Sequence, residues 1–179
     1  MHAGAAPIAG SVIACTALLA SLLAGCGLPP ASSAPQGTAV VEAVVDGDTL
    51  RVQYNGTTER VRLIGIDTPE THGRGGLVEC FGAQASDRLA QLTPPGTTVT
   101  LQRDVEARDR YDRLLAYVYV GDQFVNATLV SEGYAAALSI SPNTTYAAQL
   151  GDAANQARSN GLGLWGACGG PDTPITTSE

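Results

Sequence analysis

The chain has 179 residues, 17 of them acidic against 10 basic, for a net charge of −7, and every basic residue is an arginine. That balance excludes a protein that holds nucleic acid through a general basic surface, because phosphate affinity normally comes from many Lys and Arg contacts. A polyanionic substrate would have to be met locally, by a metal ion and a few placed arginines. Once a targeting segment is set aside, about 130 to 150 residues remain, enough for one domain with its own core.

Residues Ile8 to Gly25 are almost uncharged and apolar, about the minimum length of a membrane span. They end in Leu23-Ala24-Gly25-Cys26, which resembles a bacterial lipobox. Residues 1–25 therefore read as a signal peptide and Cys26 as the acylated first residue of an exported lipoprotein, anchored to the cell membrane from the extracytoplasmic side. The residues before Ile8 carry no Lys or Arg, unlike an ordinary n-region, and a retained transmembrane anchor is the alternative. Residues 26–38, rich in Pro, Ser and Ala, read as a flexible tether.

A folded domain is expected over residues 39–168. Val40 to Val45 is strand-like, Asp46-Gly47-Asp48 a turn, and Thr49 to Tyr54 alternates again. Asn55-Gly56 is a hairpin signal leading into a strand from Arg60 to Ile66. In that strand Arg62 alternates with Val61 and Leu63 and so points to the opposite face. Asp67-Thr68-Pro69-Glu70 then ends it, because proline fixes φ and cannot donate to a ladder. His72 to Val78 is a glycine-rich loop.

Helical periodicity follows in Phe81, Ala85, Leu89 and Leu92, stopped by Pro94-Pro95-Gly96. Thr97 to Arg103 and Leu114 to Val120 are strands, and Phe124 to Glu132 a short helix stopped by Gly133. Asn143 is the expected cap of a last helix with the stripe Tyr146, Leu150, Ala153, Ala154 and Ala157. The order predicts an α+β fold, a small closed five-stranded barrel with three helices, and a disordered tail over 169–179. Cys15 leaves with the apolar segment, so Cys80 and Cys168 form an even pair in an exported chain and could be bridged, two free thiols being the alternative.

Asp48 and Asp67, each beside a threonine, suit a hard cation, since carboxylate and carbonyl oxygens favour calcium or magnesium over zinc. The Thr68 carbonyl could be a third ligand, with Asp46 close by. Alone, Asp46-Gly47-Asp48 reads as a plain hairpin turn; beside Asp67-Thr68-Pro69-Glu70 it reads as half of a site. Glu70 is placed to hold a water as general base, or is a solvated turn residue. Arg62 needs an anionic partner, either a phosphate or a salt bridge to Asp48 or Glu70. Arg113, at the start of a strand, and Tyr111 could join the same cleft, although mixed-charge runs such as Arg108 to Arg113 are usually solvated loops.

The set V-V-D-G-D-T, V-R-L-I-G-I-D-T-P-E-T, E-C-F-G-A-Q-A-S, D-R-Y-D-R-L-L-A-Y-V-Y, N-A-T-L-V-S-E-G-Y-A and G-L-W resembles the staphylococcal nuclease (thermonuclease) family, in order from about Val40 to Trp165. The resemblance implies an OB-fold barrel with three helices and a calcium-dependent endonuclease hydrolysing DNA and RNA, preferably single-stranded, as a monomer. It assigns Asp48, Asp67 and the Thr68 carbonyl to the calcium ion and Asp46 to the shell behind them. It makes Glu70 the general base, Arg62 and Arg113 the phosphate-clamping arginines, and Arg110 with Tyr111 the grip on a terminal phosphate. Two features depart from the family type. Leu138 and Ile140 stand where two tyrosines pack against the nucleotide, which removes base stacking, and the chain is acidic and carries Cys80 and Cys168. A second reading is a membrane-tethered OB-fold module that binds nucleic acid or protein without cleaving; the presence together of Asp48, Asp67, Glu70, Arg62 and Arg113 favours the enzyme.

Overall fold

The computed structural model describes residue 1, residues 36–71 and residues 78–175. The signal segment, Cys26, the tether as far as residue 35, most of the glycine-rich loop and residues 176–179 lie outside the described residues. In chain order the elements are β1 (Gln36–Asp46), β2 (Thr49–Tyr54), β3 (Thr57–Leu63), β4 (Ile66–Asp67), α1 (Gly82–Leu92) and β5 (Thr98–Gln102). They continue with β6 (Leu114–Val120), β7 (Gln123–Phe124), α2 (Val125–Ser131), β8 (Ala136–Ala137), α3 (Ala147–Ser159) and α4 (Leu164–Ala167).

The main sheet runs β3-β2-β1-β5-β6-β7, antiparallel throughout, and a parallel pairing of β6 with β3 closes its five long strands into a barrel. The β2–β3 hairpin turns at Asn55 and Gly56, both at positive φ (50° and 81°), the geometry that matches the right-handed twist of the flanking strands. Two register shifts in β1, between Val41 and Ala43 and between Val44 and Asp46, bend that strand so that the sheet can curl. β1 starts at Gln36, within the stretch read as tether, because Gln36 to Thr38 pair with β5. The inward positions Val41, Leu50, Val52, Val61, Leu63, Val99 and Val118 form one core with Leu89 of α1, Leu129 of α2 and Leu150 of α3.

Helix boundaries follow tertiary contacts where these compete with local signals. Phe124 is not the first residue of α2: it belongs to β7, where it pairs with Tyr119 of β6 and stacks on its ring at 4.7 Å. Asn143 does not cap α3. Its side chain accepts from Glu106 N (2.8 Å) and donates to Glu106 O (3.0 Å), while Asp104 fastens the helix entrance by accepting from the amide and hydroxyl of Thr145. One further turn, α4, extends the expected three helices.

Asn126 locks α2 to the barrel. Fully buried, it accepts from Val118 N (2.9 Å) and donates to Ile64 O (2.8 Å), two backbone groups with no water to turn to. Asn126→Leu leaves both unpaired at about 1–3 kcal/mol each, so a loss of roughly 3 kcal/mol is expected in urea titration. A loss under about 1 kcal/mol would mean that those groups find other partners.

The Cys80 and Cys168 sulfurs are bonded across 88 positions of sequence. Beyond the disulfide, where a disordered tail was expected, the chain stays in hydrogen-bond register as far as Ile175, whose N–H donates to Val78 O at 3.0 Å. Among the described residues no helix is long and apolar enough to cross a membrane.

Candidate active site

Strand register assembles the first cluster. Arg62 on β3 lies opposite Thr49 on β2, and Leu63 N donates to Asp48 O (2.8 Å), so the residue just before β2 sits beside the arginine. The turn carrying Asp48 needs Gly47: a Cβ there would meet Thr68 Oγ1 at 2.7 Å and Ala85 Cβ at 2.9 Å, so only a glycine lets it close on Thr68. Asp46 Oδ1 accepts from Asp48 N (3.2 Å) and braces the turn.

Asp48 and Asp67, 19 residues apart in sequence, thus meet around one guanidinium. Arg62 forms an ion pair with Asp48 Oδ2 at 2.5 Å and donates to Asp67 Oδ1 at 2.9 Å and Leu63 O at 2.9 Å. Asp48 Oδ2 also lies 3.4 Å from Thr68 N, and Oδ1 accepts from the Thr49 hydroxyl. Of the two partners expected for Arg62 in a salt bridge, Asp48 is the one found, joined by Asp67.

The electrostatics are those of crowded acids. Asp48 is only 7% exposed; burial pushes its carboxyl up to about 7, with Asp46 and Asp67 adding to the rise and Arg62 opposing it. Asp67 is likewise raised by burial, against Arg62 and with help from Asp172 and Glu79. Glu70 is raised by burial and by Asp46, Glu79 and Asp67. One guanidinium is too little positive charge for Asp46, Asp48, Asp67 and Glu70, so added positive charge would relieve the cluster. Among the described residues no three His, Cys, Asp or Glu side chains converge as a ready-made cage. An ion here would draw on two carboxylates together with backbone and solvent oxygens, a donor set of the hard-cation type.

Barrel closure builds the second part. Parallel pairing aligns Val61 with Leu114 and Arg62 with Leu115, which brings Arg113 alongside β3 from 51 residues away in sequence. Arg62 and Arg113 both line a cavity of about 260 Å³ whose other walls include Asp109, Leu138, Ile140 and Asn143. Asp109 Oδ2 accepts from Arg113 Nε at 2.7 Å, and its Oδ1 accepts from the backbone N–H of Tyr111 and Arg113. Despite its burial, those bonds hold the Asp109 carboxyl below the usual range. Arg110 and Tyr111 do not line the cavity. They bond to each other (2.7 Å), and the Tyr111 ring lies 5.6 Å from the Arg113 guanidinium.

Of the site residues expected from the sequence within the described range, Asp48 and Asp67 meet at Arg62 with Thr68 N beside Asp48, Asp46 braces the turn, Glu70 lies within electrostatic reach of Asp46 and Asp67, Arg113 shares the cavity with Arg62, and Arg110 and Tyr111 do not line it. Sequence reasoning missed Asp109 and Glu79. Asp109 stands four residues before Arg113, but in a turn the spacing carries no signal until the backbone is known. Glu79 bonds to the Glu70 backbone across the loop between them.

A closed five-stranded barrel with helical flanks, two carboxylates bound to one arginine, and a second arginine sharing that arginine's cavity define an OB-type domain with an acidic cluster and two arginines at one cavity. The family of staphylococcal nuclease homologues matches residues 60–167, and the chain belongs to it. It is 39% identical over 126 residues to the thermonuclease of Staphylococcus intermedius, covering 70% of this chain and 74% of that protein. To the thermonuclease of Staphylococcus hyicus it is 37% identical over 134 residues, covering 75% and 79%. Against the SPbeta prophage-derived endonuclease YokF of Bacillus subtilis (strain 168) it is 40% identical over 126 residues, 70% of this chain but 43% of that protein.

Proposed function

We propose that the chain is a calcium-dependent nuclease that hydrolyses phosphodiester bonds of DNA and RNA. The observation that carries this reading is the sharing of Arg62 between two buried or half-buried carboxylates and a cavity that Arg113 also enters. The names of its thermonuclease and endonuclease relatives point the same way.

Asp48, Asp67 and the Thr68 carbonyl would hold the calcium ion, with Asp46 bracing the turn behind them. Calcium bound there supplies a Lewis acid for a phosphoryl oxygen. The chain's own groups do the rest. Glu70, held above the ordinary carboxylate range by burial and neighbouring acids, takes the proton of the attacking water. The five N–H donors of Arg62 allow it to grip carboxylates and phosphate from one position, and Arg113 supplies a second fork to the charge that builds on the equatorial oxygens. The leaving group in this reading is the 5′ oxygen. With Leu138 and Ile140 rather than aromatic rings beside the cavity, affinity rests on the phosphate clamp more than on base stacking, which favours unpaired strands of any base.

Export as a Cys26-acylated lipoprotein completes the proposal, supported by the apolar segment and its lipobox-like end. Mass spectrometry of the membrane fraction checks it by a diacylated Cys26 peptide. For the activity, denatured DNA is incubated with the protein and calcium, then with excess chelator. Cleavage should fall at least a hundredfold on chelation; cleavage indifferent to the chelator, or none with calcium present, overturns the reading.

A further inference from the structure

We propose that Glu79 is a positioning residue for Glu70, and that the Cys80–Cys168 disulfide, through the segment that follows it, holds Glu79 in that position. The proposal rests on the reading of Glu70 as the general base. Glu79 fixes the Glu70 backbone at both polar ends: its Oε2 accepts from Glu70 N at 2.9 Å, and its own N–H donates to Glu70 O at 2.9 Å. A residue on a turn, half open to water, has little else to define its side-chain position, and reacting groups must be placed within a fraction of an ångström.

Glu79 is itself held from the far side. Cys80 N donates to Thr173 O (2.7 Å), Ile175 N donates to Val78 O (3.0 Å), and Glu79 bridges Pro174 in antiparallel register. The Glu70 peptide is therefore the outer rung of a small ladder whose middle is 78–80 and whose other side is 173–175, and the disulfide ties Cys80 to Cys168, five residues before that other side. The start of α1 closes the arrangement: a Cβ at Gly82 would meet Glu70 O at 2.8 Å and Pro69 O at 2.9 Å. Fixing of this kind acts on the chemical step rather than on substrate affinity, since Glu79 does not line the cavity and makes no ion pair with Arg62, its charge reaching Asp67 and Glu70 only through space.

The test measures kcat and KM on denatured DNA with saturating calcium for the full chain and for Glu79→Leu, Glu79→Gln, Glu70→Gln and the double variant Cys80→Ser/Cys168→Ser. Glu79→Leu lowers kcat about tenfold or more with KM within twofold, and Glu79→Gln, which keeps an acceptor for Glu70 N, recovers most of that loss. The double cysteine variant lowers kcat in the same way, and Glu79→Leu added to it costs little more, because the two act on one element. Amide hydrogen exchange at Glu70 accelerates in Glu79→Leu and in the cysteine variant but not in Glu79→Gln. Wild-type kcat in Glu79→Leu, a rise in KM instead of a fall in kcat, or equal losses in Leu and Gln variants would overturn the proposal. Full kcat in Glu70→Gln would instead remove the reading of Glu70 beneath it, whereas loss there with none in Glu79→Leu removes the positioning alone.

Discussion

Arg113→Ala lowers kcat/KM on denatured DNA at least a hundredfold, about 3 to 4 kcal/mol of transition-state stabilisation, while the folded domain keeps its melting temperature within a few degrees. The expectation follows from how the side chain is held. Asp109 grips it from below through Nε and anchors its backbone N–H, so the remaining donors of the fork are available to the cavity shared with Arg62. A donor organised before substrate arrives costs no reorganisation when charge develops, and for that reason its removal falls on the chemical step. Arg113→Lys should recover only a small part, since a point charge cannot reproduce a planar fork held by a carboxylate on one edge. Steady-state kinetics on a single oligonucleotide decides the matter, and an unchanged calcium-dependent rate would strip Arg113 of its assigned part.

The largest effect on stability is expected from the disulfide. Linking positions 88 apart restricts the unfolded chain by about 4.6 kcal/mol in the loop-entropy treatment. The same bond fastens α4 and residues 173–175 against 78–80, so its loss also frees the hydrogen bonds of that segment. Cys80→Ser/Cys168→Ser should therefore melt roughly 10 to 15 °C below the parent, and a reducing agent should shift the parent by a similar amount and the variant not at all. A shift of the parent below about 2 °C would show that packing alone closes this end of the domain.

Local patterning was enough to show the barrel strands, the turn at Asn55-Gly56 and the stop at Pro94-Pro95, because each rests on neighbours in sequence: side chains alternate in a strand, and proline denies the next turn its donor. The candidate carboxylates were legible for a related reason. Aspartates beside glycine and proline at strand ends are poor core residues, and a strand-borne arginine demands an anion. Phe124 and Asn143 misled because each satisfies a local rule that a distant partner outbids: Tyr119 draws Phe124 into the sheet, and the Glu106 backbone occupies the Asn143 side chain.

By itself, the amino-acid order determined which segments alternate, which turns break them, and which few side chains are too polar for where they stand. Only the folded arrangement decided that β6 returns beside β3, that Arg62 is held by Asp48 and Asp67 rather than by Glu70, that Asp109 grips Arg113, and that Glu79 with a disulfide-tied segment clamps the Glu70 peptide. The division has one physical cause. Periodicity and turn chemistry are properties of a few adjacent residues, whereas which strand edges meet is settled by barrel closure, the sum of many weak contacts between residues that carry no mark of one another in the sequence.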